Sequence, residues 1–275
     1  RQVPAPKGST PKMQMTSYPQ GMPCWVDLMV EDPTKAAAFY GSLLGWHVPP
    51  GRPDFGGYAN ADLGGRLVAG VMPKMAPDMP SVWSTYIAVD DARATLDLAV
   101  QEGASPIVPA TDVGSMGTMA VFADPQGAVI GIWQAGEHIG AHAIAEPGTL
   151  RWNELAARDF DAAKAFYPAV FGWEASEFPG GGQYIMWNVD GRPVAGMMPM
   201  PETVPAQVPS YWLVYFEVTD CDESVATVTA LGGQVVVSPQ DAPGVGRLSM
   251  VQDDQGAAFA VIAMQPRDEA NGGAA

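Results

Sequence analysis

The residues best suited to chemistry recur in pairs. Trp25-Val26-Asp27-Leu28 returns as Trp152-Asn153-Glu154-Leu155, so an acid follows an indole by two positions in each half. Both stretches alternate like half-buried strands, and residues two apart on a strand share a face. With Val26, Leu28 and Val30 packed beneath a helix, Trp25, Asp27 and Met29 face a concave cup, and Trp152 and Glu154 face a second one. In the run Ser84–Val89, Thr85, Ile87 and Val89 point to a helix and leave Ser84 and Tyr86 for the first cup. Val214, Phe216 and Val218 likewise leave Tyr215 for the second. Each cup thus gains one carboxylate and one phenol, Asp27 with Tyr86 and Glu154 with Tyr215. An apolar cup disfavours the charged carboxylate and raises its pKa towards that of a useful general acid or base. The phenol can orient the acid or polarise a substrate carbonyl. The alternative is that both acids are structural, bonding backbone or arginine groups at the cup floor.

Further candidates surround these four. Trp25, Trp152, Trp46, Trp173, Trp133, Trp187, Tyr58 and Tyr184 offer flat faces for stacking on a planar ligand, against the competing reading of plain core packing. Ser84 adds a hydroxyl. Arg66, Arg192 and Arg247 can pair with the acids or grip an anionic group. The methionines Met72, Met75, Met79, Met197, Met198 and Met200 suit a pocket lip or a domain interface. The three histidines are scattered: His47 reads as a surface residue, and His138 and His142 fall in a stretch that reads as a solvated connector. No phosphate loop, nucleophile elbow or dinucleotide fingerprint is present.

The elements that must position these residues follow from an internal repeat. Ala38-Phe39-Tyr40 returns as Ala165-Phe166-Tyr167, Leu44-Gly45-Trp46 as Phe171-Gly172-Trp173, and Val68-Ala69-Gly70 as Val194-Ala195-Gly196. Asp124-Pro125-Gln126-Gly127-Ala128 returns as Asp253-Asp254-Gln255-Gly256-Ala257. The halves span 22–135 and 149–265, with an N-terminal extension at 1–21, a linker at 136–148 and a flexible tail at 266–275. Each half divides again. A strand at Cys24–Val30 is followed by a helix that Asp32 caps and Pro33 opens, with Gly45 ending it. Three short strands are predicted near His47, near Tyr58 and over Arg66–Met72. A second strand–helix–three-strand unit starts at Ser84, with its helix over about Ala92–Glu102. The fold class is therefore α+β: four βαβββ modules, paired first with second and third with fourth into two domains with curled mixed sheets. Pairing across the halves is the alternative. Pro168 lies inside the third helix, where it removes a donor and favours a kink.

Composition narrows the partners. The sequence has 275 residues, is 47% hydrophobic and 16% charged, and carries a formal charge of −16. Such acidity repels phosphate, so neither nucleic acid nor an anionic membrane is an expected partner. No apolar run nears the ~18–20 residues of a membrane span. The first twenty residues lack a hydrophobic signal core, and Cys24 and Cys221 are too few for a disulfide framework, so a cytoplasmic location is expected.

The opening strand ending Val30-Glu31-Asp32, the helix end Phe39-Tyr40 to Leu44-Gly45-Trp46, and Asp124-Pro125-Gln126-Gly127, all repeated in register, resemble the vicinal oxygen chelate superfamily of glyoxalases, extradiol dioxygenases and bleomycin-resistance proteins. The layout is especially similar to bacterial two-domain members loosely named glyoxalase-like proteins or hydroxylases, some encoded with polyketide antibiotic pathways. The resemblance implies sheets curled into open cups. Metal-dependent members place His, Gln or Glu at four strand positions, which here match Trp25, Gly70, Ser84 and Gly131, then Trp152, Gly196, Leu213 and Ala260. No strong ligand stands there, so no metal and no other cofactor is expected, and the glycines should leave vacant space. The resemblance then implies a metal-independent hydroxylase- or lyase-type enzyme acting on a small aromatic or polyketide-like metabolite, as a monomer or homodimer. A non-catalytic protein that sequesters a flat antibiotic is the alternative. With Ser84 against Leu213, Gly131 against Ala260 and Trp133 against Ile262, the first cup should be the roomier and the main ligand site.

Overall fold

A computed structural model describes residues 14–265. The first module is strand β1 (Pro23–Val30), helix α1 (Pro33–Leu44) and strands β2 (Ala59–Leu63) and β3 (Arg66–Pro73). The second is β4 (Val82–Ala88), α2 (Ala92–Gln101), β5 (Ser105–Asp112), β6 (Gly117–Ala123) and β7 (Val129–Ala135). The third is β8 (Leu150–Ala157), α3 (Phe160–Phe171), β9 (Glu174–Glu177), β10 (Ile185–Val189) and β11 (Arg192–Pro199). The fourth is β12 (Tyr211–Glu217), α4 (Cys221–Ala230), β13 (Gln234–Ala242), β14 (Gly246–Gln252) and β15 (Ala258–Met264). The strand expected near His47 shrinks to one bridge between His47 and Asp62, whereas its counterpart in the third module is the full strand β9.

Among the described residues each of the four α-helices begins on an aspartate. Asp32, Asp91, Asp159 and Asp220 each accept backbone N–H bonds from the first turn with their side chains, satisfying donors the helix cannot. Gly45 and Gly172 end α1 and α3 in the left-handed region, at φ 76° and 71°, which L-residues with a Cβ resist. Helix α3 runs on past Pro168 for three residues, and the Gly172 N–H bonds the Pro168 carbonyl.

The strands form two mixed sheets, ordered β2-β3-β1-β4-β7-β6-β5 and β13-β14-β15-β12-β8-β11-β10-β9. First pairs with second, and third with fourth, through antiparallel β1–β4 and β8–β12 at the sheet centres. The cores follow a different rule. Val26, Leu28, Phe39 and Tyr40 of the first module share one core with Phe216, Val225, Phe259 and Val261 of the fourth. Ile87, Leu96, Phe122 and Ile132 of the second share another with Leu155, Phe166, Tyr167 and Trp187 of the third. Strand pairing thus joins modules within a half, while side-chain packing joins them across halves.

The repeated Asp-x-Gln-Gly turns fasten this arrangement. The Gln255 side chain bonds both the N–H and the C=O of Asp32, and the Gln126 side chain does the same to Asp159. Tyr40 donates to Asp253 at 2.9 Å and Tyr167 to Asp124 at 2.8 Å, each reaching into the opposite half. Both faces of β1 are buried along its whole length, one by this core and the other by the cup. Among the described residues no helix is long and apolar enough to cross a membrane.

Candidate functional site

The two central strand pairs gather the acid-bearing positions. In the first cup, Asp27 stands opposite Gly70 on β3 and Ser84 on β4, and Trp25 stands opposite Tyr86, which in turn neighbours Gly131 on β7. The second cup repeats this with Glu154 opposite Gly196 and Leu213, and Trp152 opposite Tyr215. Asp27 and Glu154 are only 4% and 7% exposed, so each carboxyl depends on the protein for hydrogen bonds.

Tyrosines supply them. The Tyr58 hydroxyl accepts from Trp25 Nε1 at 2.8 Å and donates to Asp27 Oδ2 at 3.4 Å, while the Tyr86 and Ser84 hydroxyls also face that carboxyl. In the second cup the bonds are tighter. Tyr184 accepts from Trp152 Nε1 at 2.9 Å and donates to Glu154 Oε2 at 2.7 Å, and Tyr215 donates to Oε1 at 2.7 Å. Glutamate is one methylene longer than aspartate and so reaches both phenols. Ser84 stands beside the shorter Asp27, where the second cup has Leu213.

Burial dominates the electrostatics. It pushes Asp27 up to about 7, with the Tyr86, Tyr58 and Ser84 hydroxyls opposing the rise by stabilising the anion. Burial likewise raises Glu154, opposed by Tyr215 and Tyr184. Burial and the neighbouring acids hold Tyr58, Tyr86, Tyr184 and Tyr215 above the ordinary phenol value, so all four remain donors at neutral pH. A carboxyl that titrates near neutrality inside a phenol cage is equipped to give or take a proton.

The glycines leave no vacancy. A Cβ on Gly70 would lie 1.9 Å from the Tyr58 hydroxyl, and one on Gly196 would lie 1.9 Å from that of Tyr184. The loop tyrosines occupy the hollows that the sequence predicts to be empty. Their aromatic lining role is readable in the sequence, but their bond to the acid is not. The one signal is that Tyr58 and Tyr184 hold matching places just before β2 and β10, each shortly after a glycine-containing loop. Of the eight ligand-equivalent positions, only Ser84 carries an oxygen donor in its side chain. Among the described residues no three His, Cys, Asp or Glu side chains converge on a point that could hold a metal ion. The residues present therefore do not fit a divalent metal in either cup.

Other expected site residues lie elsewhere. Trp46 is buried in the core shared by the first and fourth modules, where its indole donates to the Gly148 carbonyl, and Trp173 donates to that of Gly21 from the other core. Neither faces a cup. Trp187 is fully buried in the second core. Arg66 pairs with Glu146, and exposed Arg247 pairs with Asp222 and Asp241, so neither arginine serves the cup acids. Trp133 does join Trp25 and Tyr86 in the first cup's apolar cluster.

The cups differ in a way the sequence does not predict. The connector folds back onto the first one. His138 sets its ring edge-on to Trp25 at 4.6 Å and accepts a bond from Trp133 Nε1 on its carbonyl, while Ala141 and Tyr18 join the same cluster. The Tyr18 hydroxyl donates to the Ala141 carbonyl, and Gln14 bridges to Ala143. Trp25 is thereby buried, whereas Trp152 and Tyr211 in the second cup stay half-exposed. The second cup is the more open at its mouth, a difference that Ser84, Gly131 and Trp133 do not signal.

Comparisons with known proteins agree with this fold. The family model described as Glyoxalase/Bleomycin resistance protein/Dioxygenase superfamily matches residues 24–132 and again 148–261. A protein provisionally named glyoxylase CFP32, from Mycobacterium tuberculosis (strain CDC 1551 / Oshkosh), is 44% identical over 92% of this chain and 98% of its own. The anthracycline biosynthesis protein DnrV of Streptomyces peucetius is 35% identical over 91% of this chain and 96% of its own. The Mn(II)-bound glyoxalase from Novosphingobium aromaticivorans superposes with a TM-score of 0.62, covering 89% of this chain and 82% of that one, at 16% identity. That last likeness is one of fold.

Proposed function

The chain belongs to the Glyoxalase/Bleomycin resistance protein/Dioxygenase superfamily, and on that premise we propose that it is a metal-independent enzyme of secondary metabolism acting on a small aromatic or polyketide-like metabolite. The carrying observation is the buried carboxyl in each cup, bonded by tyrosine hydroxyls where metal-dependent members converge their ligands. In its neutral form the Asp27 or Glu154 carboxyl donates a proton to a substrate oxygen. In its ionised form it takes one from an adjacent O–H or activated C–H, with Tyr86 or Tyr215 orienting it. The full-length similarity to a protein of anthracycline biosynthesis supports a fused-ring polyketide ligand. The acidic charge argues against nucleic acid as a partner. Cys24 and Cys221, both buried free thiols, suit a reducing compartment such as the cytoplasm.

The half-exposed aromatic walls of the second cup also suit simple sequestration of a flat molecule. One experiment separates the two readings. Wild type, Asp27→Asn and Glu154→Gln are incubated with an anthracycline, with binding followed by tryptophan fluorescence and conversion by mass change. Catalysis predicts turnover in the wild type that falls by ~10²–10⁴-fold in one variant while binding is kept. Sequestration predicts no mass change, and an affinity that shifts by roughly 1–3 kcal/mol when the polar group is altered. Absence of both binding and conversion sinks the proposal.

A further inference from the structure

The second cup already holds a phenol. Tyr184 sends its hydroxyl from a loop into the hollow above Gly196, where it accepts from the Trp152 indole N–H and donates to Glu154. One hydroxyl is thus read twice, by a donor at 2.9 Å and an acceptor at 2.7 Å, a pair of contacts that an ether or a bare ring cannot satisfy. The first cup repeats the pattern with Trp25, Tyr58 and Asp27, but there the bond to the acid is 3.4 Å and the linker packs over Trp25.

Three features indicate that Tyr184 is a movable occupant. It is half-buried, unlike Tyr215, which grips the other oxygen of Glu154 from within β12. It follows Gly180-Gly181-Gly182, two of which have positive φ and none of which carries a side chain to anchor the loop. A cavity of about 570 Å³, bounded by Phe160, Gly182, Ile185, Pro199 and Met200, lies against Tyr184 and leaves room for the ring to move into.

We infer that Tyr184 is an internal stand-in for the ligand, and that the second cup binds a hydroxy-aromatic whose phenolic O–H displaces the tyrosine and takes over its bonds to Trp152 and Glu154. This rests on the reading of the cups as aromatic-binding sites and adds the chemical group recognised and the residue that must leave. The internal phenol competes with the external one, so apparent affinity is reduced by the fraction of molecules in which Tyr184 is seated.

The test uses the full chain and two probes of nearly equal shape, 1-naphthol and 1-methoxynaphthalene, titrated by calorimetry. The expected result is naphthol binding at least about tenfold tighter than its methyl ether, since the ether leaves Oε2 of the buried Glu154 carboxyl without a donor. Tyr184→Ala should tighten naphthol by about tenfold or more and keep the preference. Tyr184→Phe, which keeps the ring and folds without the hydroxyl, should tighten it less. Equal binding of the two probes overturns the inference but leaves the aromatic reading standing. Unchanged naphthol affinity in both Tyr184 variants overturns the displacement. Failure of both probes to bind the wild type and both variants removes the aromatic reading itself, and the inference with it.

Discussion

At the scale of single residues, the carboxyls decide how the protein responds to pH. Burial pushes Asp27 up to about 7 in the folded state, against 3.8 for a free aspartate. The folded state therefore keeps its proton longer than the unfolded one. The contribution of Asp27 to stability is fullest below about pH 4, falls as pH rises towards 7, and is lost above it. Glu154, Asp124 and Asp253, each raised by burial, act in the same direction. Asp27→Asn removes one of these titrations, so its melting temperature should vary less between pH 4.5 and 7.5 than that of wild type. Parallel curves would show that Asp27 is not protonated in the fold. A second prediction concerns Gly196. An alanine there drives its Cβ onto the Tyr184 hydroxyl and close to Trp152 Nε1. Gly196→Ala should break the Tyr184–Glu154 bond and cost roughly 1–3 kcal/mol in denaturant unfolding. A loss below about half a kcal/mol would mean that the loop yields freely.

At the scale of elements, the aspartate caps and the glutamine turns form one device. Asp32 caps α1 with its side chain while its backbone is held by Gln255 from the other half. Asp32→Ala should cost ~1 kcal/mol as a lost cap. Gln255→Ala should cost a similar or greater amount, because it leaves the Asp32 N–H without a partner at the domain boundary, while the Asp32 carbonyl keeps its bond from the Ala36 N–H. Since both act on the same backbone unit, the double variant should lose less than the two single losses combined, measurable as coupling in a double-mutant cycle. Full additivity would show that the cap and the turn act independently. Helix α3 shows the limits of local rules. Pro168 removes a donor and favours a kink, yet the Phe171–Trp173 segment is buried against Tyr167 and Trp212, and that burial carries the helix on to Gly172.

At the scale of the whole molecule, sheets close within halves and cores close across them. Residues 22–135 alone would expose the Phe39, Tyr40 and Phe122 faces that the other half covers. The chain should therefore melt in one calorimetric transition, and either half expressed alone should be unfolded or aggregated. Two resolved transitions would show that the halves fold separately.

The sequence by itself determined the module count, the capped helices and the alternation that turns Trp25, Asp27, Trp152 and Glu154 to one side. These are local signals: a period of two, an Asp before a helix, a glycine after it, each repeated in register. The same alternation placed Tyr86 and Tyr215 with the acids, because they lie on strands adjacent to them. Only the tertiary structure decided the rest. Trp46 and Trp173 follow a helix and carry no face information, and the covering half turns them into core. Tyr58 and Tyr184 sit in loops, where no periodicity fixes direction, so their seat above Gly70 and Gly196 emerges only when a third strand lies beside the first. The connector that covers the first cup has no repeat partner, and its packing depends on Trp25 and Trp133, which are brought together through β4 and β7. Contacts of this kind join residues distant in sequence, and they become fixed only when the sheets close.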